Sequence, residues 1–180
     1  RAARLTIRTA EGTVNGAGSA MAWMARRARR RDLMRRLARW LETIHDPPLF
    51  LNGVSGLGTP WMVPSFPSRF LGGGARPARR DVPARAAAVA ESILFLAAAN
   101  LERMRAGGIA VRRLVATGGL SRIGPLCARL ADLAGVAAVR PAQAEATARG
   151  VAWLAGGMPP GWGIGGGAAR FRPRRDAALQ

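Results

Sequence analysis

The sequence predicts a single α/β domain, and three observations carry that reading. A short apolar run, Leu114-Val115-Ala116, ends in Thr117-Gly118-Gly119 and opens into a helical stretch from about Pro125 to Ala134, with Gly135 as its stop. A second apolar run, Val136 to Val139, follows at once, so strand, helix and strand succeed one another as in a parallel pair joined by a right-handed crossover. The chain has 180 residues, 49% of them hydrophobic, which is enough for one real core and too apolar for a disordered tail.

Taken in order, Leu5-Thr6-Ile7 alternates as a short strand does, and Arg1, with no Met and no cap before it, is expected to be a cut inside a strand or hairpin. Small residues Gly16 to Ser19 pass into a helical pattern through Met24. The charge run Arg26 to Arg31, broken only by Ala28, joins this helix to the next. Asp32 favours the start of that second helix, in which Leu33, Leu37, Trp40, Leu41 and Ile44 keep the three-and-four spacing of one buried face. Arg35, Arg36 and Arg39 then fall toward water. Asp46-Pro47-Pro48 stops the helix just after His45. Leu49-Phe50-Leu51 reads as a buried strand that empties into the long loop 52–74, held by Trp61, Phe66 and Phe70. Val82 to Arg105 has the clearest helical periodicity, with Gly107-Gly108 as its stop. A last long helix is expected over Ala142 to Leu154, its surface kept small by Ala144, Ala148 and Gly150. From Gly156 onward the glycines and prolines defeat any pattern, so the organisation predicted is a domain over 1–157 and a Gly/Pro/Arg-rich tail over 158–180, with Gln180 another cut end.

Composition removes several function classes. The net charge is +18, and every basic residue is Arg among abundant Ala and Gly, the usage a GC-rich coding sequence produces, so charge alone says little about partners. Two readings fit Arg26 to Arg39: a nucleic-acid surface, or a solvated helix face. The second is preferred because no exposed aromatics interleave the arginines. Cys127 is the only cysteine, so no intrachain disulfide or cysteine metal cluster can form, and its leucine neighbours point to a buried small apolar residue. One histidine, His45, makes no metal site. The loop 52–74 lacks Gly-Lys-Ser/Thr and is no P-loop. The apolar stretch Ala86 to Ala99 contains Glu91 and falls short of the ~20 residues of a bilayer span, and no apolar leader opens the chain, so a soluble cytoplasmic protein without membrane contact is expected. Asp132 and Glu145 lack a paired carboxylate at useful spacing for acid-base work.

Four segments in a fixed order carry a resemblance: Glu11-Gly12-Thr13-Val14-Asn15-Gly16-Ala17-Gly18; Gly53-Val54-Ser55-Gly56-Leu57-Gly58-Thr59-Pro60-Trp61; Thr117-Gly118-Gly119-Leu120-Ser121; and Arg140-Pro141 with Glu145-Ala146-Thr147-Ala148-Arg149-Gly150. Together they resemble the C-terminal half of an FGGY-family carbohydrate kinase, most of all the glycerol kinase branch. The resemblance implies a ribonuclease H-like domain of the actin-like ATPase type, the second of two, with ATP held in the cleft between them. It implies ATP and Mg²⁺ as cofactors and transfer of the γ-phosphoryl group to a hydroxyl of glycerol or a related sugar. The Asp-x-Gly-Thr phosphate loop, the polyol-binding residues and the catalytic Asp are expected upstream of Arg1. The chain alone is therefore predicted inert, with a missing N-terminal kinase domain as its partner and a homo-oligomer compatible with it.

On the same grounds Gly18, Gly118, Gly119, Leu120, Ser121 and Ile123 are expected at the nucleotide, and the helix over Ala142 to Leu154 is expected to pack on its counterpart across the domain boundary. Two residues depart from the family: Ala22 stands where glycerol kinases often carry Gln, and Ile123 stands where they carry an adenine-bonding Asn, which leaves two readings, packing of Ile123 on the base with purine specificity from backbone groups, or a degenerate pocket. Ser121 fits either a polar contact to the nucleotide or a helix cap. The competing readings are a basic nucleic-acid-binding module and a non-catalytic pseudoenzyme half.

Overall fold

The structure, a computed structural model, describes residues 9–71, 81–162 and 167–174. The strand expected at Leu5 to Ile7 and both chain ends lie outside the described residues. Helices α1 (Ala17–Arg27) and α2 (Leu33–Thr43) are followed by strands β1 (Leu49–Leu51) and β2 (Arg69–Leu71), the long helix α3 (Val82–Ala106) and strand β3 (Leu114–Val115). A 3₁₀ turn (Gly119–Arg122), helix α4 (Gly124–Ala134), strand β4 (Ala138–Arg140), helix α5 (Ala146–Ala155) and strand β5 (Ala169–Phe171) complete the order.

The expected strand-helix-strand unit is present. β3 and β4 pair in parallel, Leu114 opposite Ala138 and Val115 opposite Val139, with α4 as the crossover. β5 then adds antiparallel on the far side of β4, Ala138 opposite Phe171. This strand lies inside the segment expected to be an unpacked tail. Three residues between glycines and a proline are too few to show a period of two, so the pairing was invisible in the pattern. Asp132 of α4 reinforces it: its side chain, 3% exposed, accepts from the Arg174 backbone N–H at 2.7 Å and from that residue's guanidinium at 2.6 and 3.0 Å.

α3 is the axis of the core. Asp81 caps it, its carboxylate accepting from the Ala84 N–H at 3.0 Å, and Pro83 sits in its first turn, where a missing N–H costs nothing. α1, α2, α4 and β1 all pack on it, and the alanines from Ala84 to Ala90 let them approach closely. At 25 residues α3 has the length and apolar content of a membrane span, yet ten of its residues, nine of them between Ala84 and Leu94 and the tenth Asn100, are buried, as befits a core helix. The stripe expected on α2 is buried at Leu33, Leu37, Trp40 and Leu41, while Arg35, Arg36 and Arg39 face solvent. With Trp40 turned inward, that arginine face offers no aromatic stacking platform.

Two expectations change around the first sheet. Leu49-Phe50-Leu51 is half of an antiparallel hairpin rather than a buried strand: only Phe50 is buried, and Leu49 is 57% exposed. Trp61 does not hold the long loop, being half exposed; Phe70, in β2, is the anchor, its ring tilted against Phe50 at 4.6 Å with the Arg85 guanidinium over it at 4.1 Å. The helix expected from Ala142 begins only at Ala146, because Pro141 and the extended residues after it are used elsewhere.

Candidate nucleotide site

The residues singled out in the sequence gather in two places on one core. The first is built by two segments far apart in the chain. The Thr59 N–H donates to the Thr13 carbonyl at 3.1 Å, the Thr13 N–H donates to Thr59 Oγ1 at 3.2 Å, and the two hydroxyls share a hydrogen bond at 3.1 Å. One turn further on, Ser19 and Ser55 join hydroxyl to hydroxyl at 2.8 Å. The close approach explains Gly58: a Cβ there would lie 2.3 Å from the Thr13 carbonyl oxygen. Behind this junction the buried Asn100 amide donates to the same Thr13 carbonyl at 3.3 Å. Gly18 and Ala22, one turn apart on α1, are exposed on its outer side, opposite the buried Ala20, Met21 and Met24.

The second place is the turn after β3. Gly118 has φ 82° and ψ −179°, a conformation open in practice only to glycine. Its N–H donates to the Ala144 carbonyl at 2.8 Å, and its own carbonyl accepts from the Ser121 hydroxyl at 2.7 Å. The Ser121 carbonyl accepts from the Cys127 thiol at 3.2 Å and from Arg140 at 3.1 Å, and Arg140 also reaches the Arg122 carbonyl at 3.2 Å. The turn is thus bonded at both ends. Its outer edge is open: a Cβ on Gly119 meets nothing within 4 Å, and the amides of Gly119 and Leu120 donate to no described residue.

Ser121 and Ile123 turn their side chains inward, while that of Arg122 is exposed. Ser121 is 5% exposed and spends its hydroxyl on Gly118, so it neither projects to a ligand nor caps α4, whose N-cap is Ile123. Ile123, 7% exposed, belongs to the same apolar cluster as Met21 and Met24, and Leu120 packs against that cluster. The side chains of Ser121 and Ile123 thus offer no group at the surface of the turn, where Gly119 is exposed and Gly118 half-buried. Burial pushes the Cys127 thiol above its ordinary range, the nearby Arg140 cation opposing this, which fits a packing residue and not a nucleophile.

Beside the turn, a hollow of about 680 Å³ opens between the end of β3 and α5. Val115, Thr117, Gln143, Arg149, Trp153 and Trp162 line it, with the Arg149 guanidinium 4.9 Å from the Trp162 ring. Gly118 and Gly119 border this hollow without lining it. α5 carries no buried residue, and its Val151 and Leu154 are exposed. No local pattern marks the Arg140–Ser121–Cys127 arrangement, because its members meet only in space.

Comparison with known proteins supplies the family. The family model for the FGGY family of carbohydrate kinases, C-terminal domain, matches residues 6–158. The glycerol kinase of Albidiferax ferrireducens is 34% identical over 154 residues, covering 81% of this chain and 30% of that protein. The glycerol kinase of Geobacter sp. (strain M21) is 32% identical over 149 residues with the same coverage. Among solved structures, a xylulose kinase from Brucella ovis superposes with a TM-score of 0.67 at 26% identity, over 90% of this chain and 34% of that one. Plasmodium falciparum glycerol kinase with ADP gives 0.71 at 18% identity, over 90% and 34%. The fold is therefore the actin-like ATPase fold of these sugar kinases, and the chain spans about a third of the length of the proteins it matches. Each of the four sequence segments that suggested the relationship falls inside the matched range, and the chain belongs to the FGGY family of carbohydrate kinases, as its C-terminal domain.

Proposed function

We propose that this chain is the nucleotide-holding half of an ATP-dependent kinase acting on glycerol or a related polyol or sugar, completed by an N-terminal kinase domain outside the present sequence. The observation that carries the reading is the turn at Gly118 and Gly119: fixed from within, bare of side chains outside, and placed at the carboxyl end of a parallel strand, where α/β folds bind their ligands. Gly18, whose absent Cβ would also meet nothing within 4 Å, presents the second bare surface.

In this reading the residues present fit the adenosine part of ATP. Gly118 and Gly119 let the nucleotide approach the backbone, and Leu120, Ser121 and Ile123 set the shape and rigidity of that backbone. Bound Mg²⁺ neutralises phosphate charge during transfer. Among the described residues no three His, Cys, Asp or Glu side chains come together, and in this reading the ion would be held chiefly by the phosphates. The exposed apolar face of α5 is the surface the N-terminal domain covers. Because the hydroxyl-activating Asp belongs to that domain, the chain alone transfers no phosphoryl group.

The test is ATP-dependent glycerol phosphorylation by the chain alone and by a fusion behind the N-terminal domain of the Albidiferax ferrireducens glycerol kinase. The reading expects none from the first and turnover from the second. Turnover by the chain alone contradicts the placement of the base. A folded fusion that binds glycerol yet transfers nothing contradicts the assignment of a working nucleotide half.

A further inference from the structure

We infer that Arg140 is a positioning residue for the nucleotide turn, an inference that rests on the functional reading above. Arg140 closes β4, and its guanidinium reaches across to the 3₁₀ turn, donating to the carbonyls of Ser121 at 3.1 Å and Arg122 at 3.2 Å. These two oxygens need an outside partner. The first turn of α4 uses the Ile123 carbonyl, which accepts from the amides of Leu126 and Cys127, and leaves those of Ser121 and Arg122 unused by the helix. At Ser121, nearly all of which is buried, water has little access to replace a lost donor.

The guanidinium suits the task. It is always charged, it is planar, and one nitrogen spans two adjacent carbonyls while the ring of Phe171 in β5 lies 5.6 Å from its centre. The Cys127 thiol shares the Ser121 carbonyl, and the Ala144 carbonyl, four residues beyond Arg140, holds the Gly118 amide. The segment at the end of β4 therefore grips both ends of the turn, and Arg140 bonds the carbonyls of Ser121 and Arg122 while lining a separate hollow with Glu145. Its effect on a nucleotide is indirect: it fixes where the bare backbone stands.

Amide hydrogen exchange and ATP titration of Arg140→Met and Arg140→Lys, in the chain as it exists, test this. Charged hydrogen bonds of this kind predict exchange at Ser121 and Ile123 faster by about tenfold in Arg140→Met, and ATP binding weaker by about the same factor, with exchange in α3 unchanged. Arg140→Lys, which keeps a cation able to reach one carbonyl, restores part of both. Arg140→Gln replaces Arg140→Met if the latter does not fold. Unchanged exchange at Ser121 and Ile123 overturns the inference, as does faster exchange with ATP affinity intact. Failure of the parent chain to bind ATP overturns the nucleotide reading itself, and the exchange data then report separately whether Arg140 holds the turn.

Discussion

Removing Arg129 is predicted to be among the most damaging single changes to this fold. The residue stands on α4, where its guanidinium pairs with the Glu91 carboxylate of α3 and donates to the carbonyls of Leu41 and, at 3.0 Å, Ile44 at the end of α2. One side chain thus ties three helices, and a cation there also suits the negative end of the α2 dipole. Burial lowers the Arg129 pKa from the usual guanidinium value, with the Arg174 cation adding to the effect and Asp132 opposing it, yet a guanidinium remains charged at any ordinary pH. Arg129→Met keeps the apolar stem and leaves Glu91 without its cation and the α2 carbonyls without a donor.

Breaking a fully buried pair from one side costs about 3–5 kcal/mol. Here the two side chains are 20% and 17% exposed, so water recovers part of the loss and about 2–4 kcal/mol is expected. For a domain of this size that is a fall in Tm of roughly 5–15 °C, read by thermal or urea denaturation followed by circular dichroism. The double variant Arg129→Met with Glu91→Leu removes the stranded charge and is expected to recover most of the stability. An Arg129→Met variant within about 0.5 kcal/mol of the parent, the range of an ordinary surface change, would refute the reasoning. So would a double variant no better than the single.

Three further outcomes follow from the structure. Cys127 gives stability an alkaline slope: its folded pKa is raised, so above the ordinary thiol range near 8.5 the unfolded chain loses its proton first, and stability present below that pH falls by up to about 1.4 kcal/mol per pH unit as pH climbs toward the folded value. The sequence has no Lys and no Tyr to titrate there, so urea midpoints between about pH 8 and 10.5 should lose this slope in Cys127→Ala; an unchanged slope contradicts the assignment. Gly118→Ala should cost about 1–3 kcal/mol because of its backbone conformation, whereas Gly119→Ala, whose Cβ has open space, should stay within about 1 kcal/mol; equal melting temperatures would contradict the described turn. Asp132→Ala should release the segment after β5, costing about 1–3 kcal/mol and speeding tryptic cleavage at Arg174, and unchanged proteolysis would show that the tether does not hold that segment.

What the sequence reveals of this fold follows the physics of local signals. The α2 stripe, the long α3 and the β3–α4–β4 crossover were legible because each is either long enough to show its period or marked by glycine at its ends. β2 and β5 were not, since three residues in a Gly- and Pro-rich setting carry no periodicity and form only because a partner strand is waiting. At the candidate site, Gly118 and Gly119 stand out in the sequence as glycines at the end of an apolar run, whereas Gly18 is marked only by the family resemblance. The inward turn of Ser121 and Ile123 was hidden, because it depends on the Gly118 carbonyl and on a core assembled from α1 and α4. The pairing of Thr13 with Thr59 and the reach of Arg140 to Ser121 join residues 46 and 19 positions apart, and no local pattern announces either.

The most direct measurement is an NMR titration of the amide-labelled chain with ADP, repeated on Gly119→Val. A nucleotide seated on this turn gives shift changes confined to the region of Thr117 to Leu120 and to α1 near Gly18, and these are lost in the variant while its melting temperature stays close to that of the parent. Shifts centred elsewhere, or an undiminished response in Gly119→Val, would contradict the placement of the nucleotide on this turn.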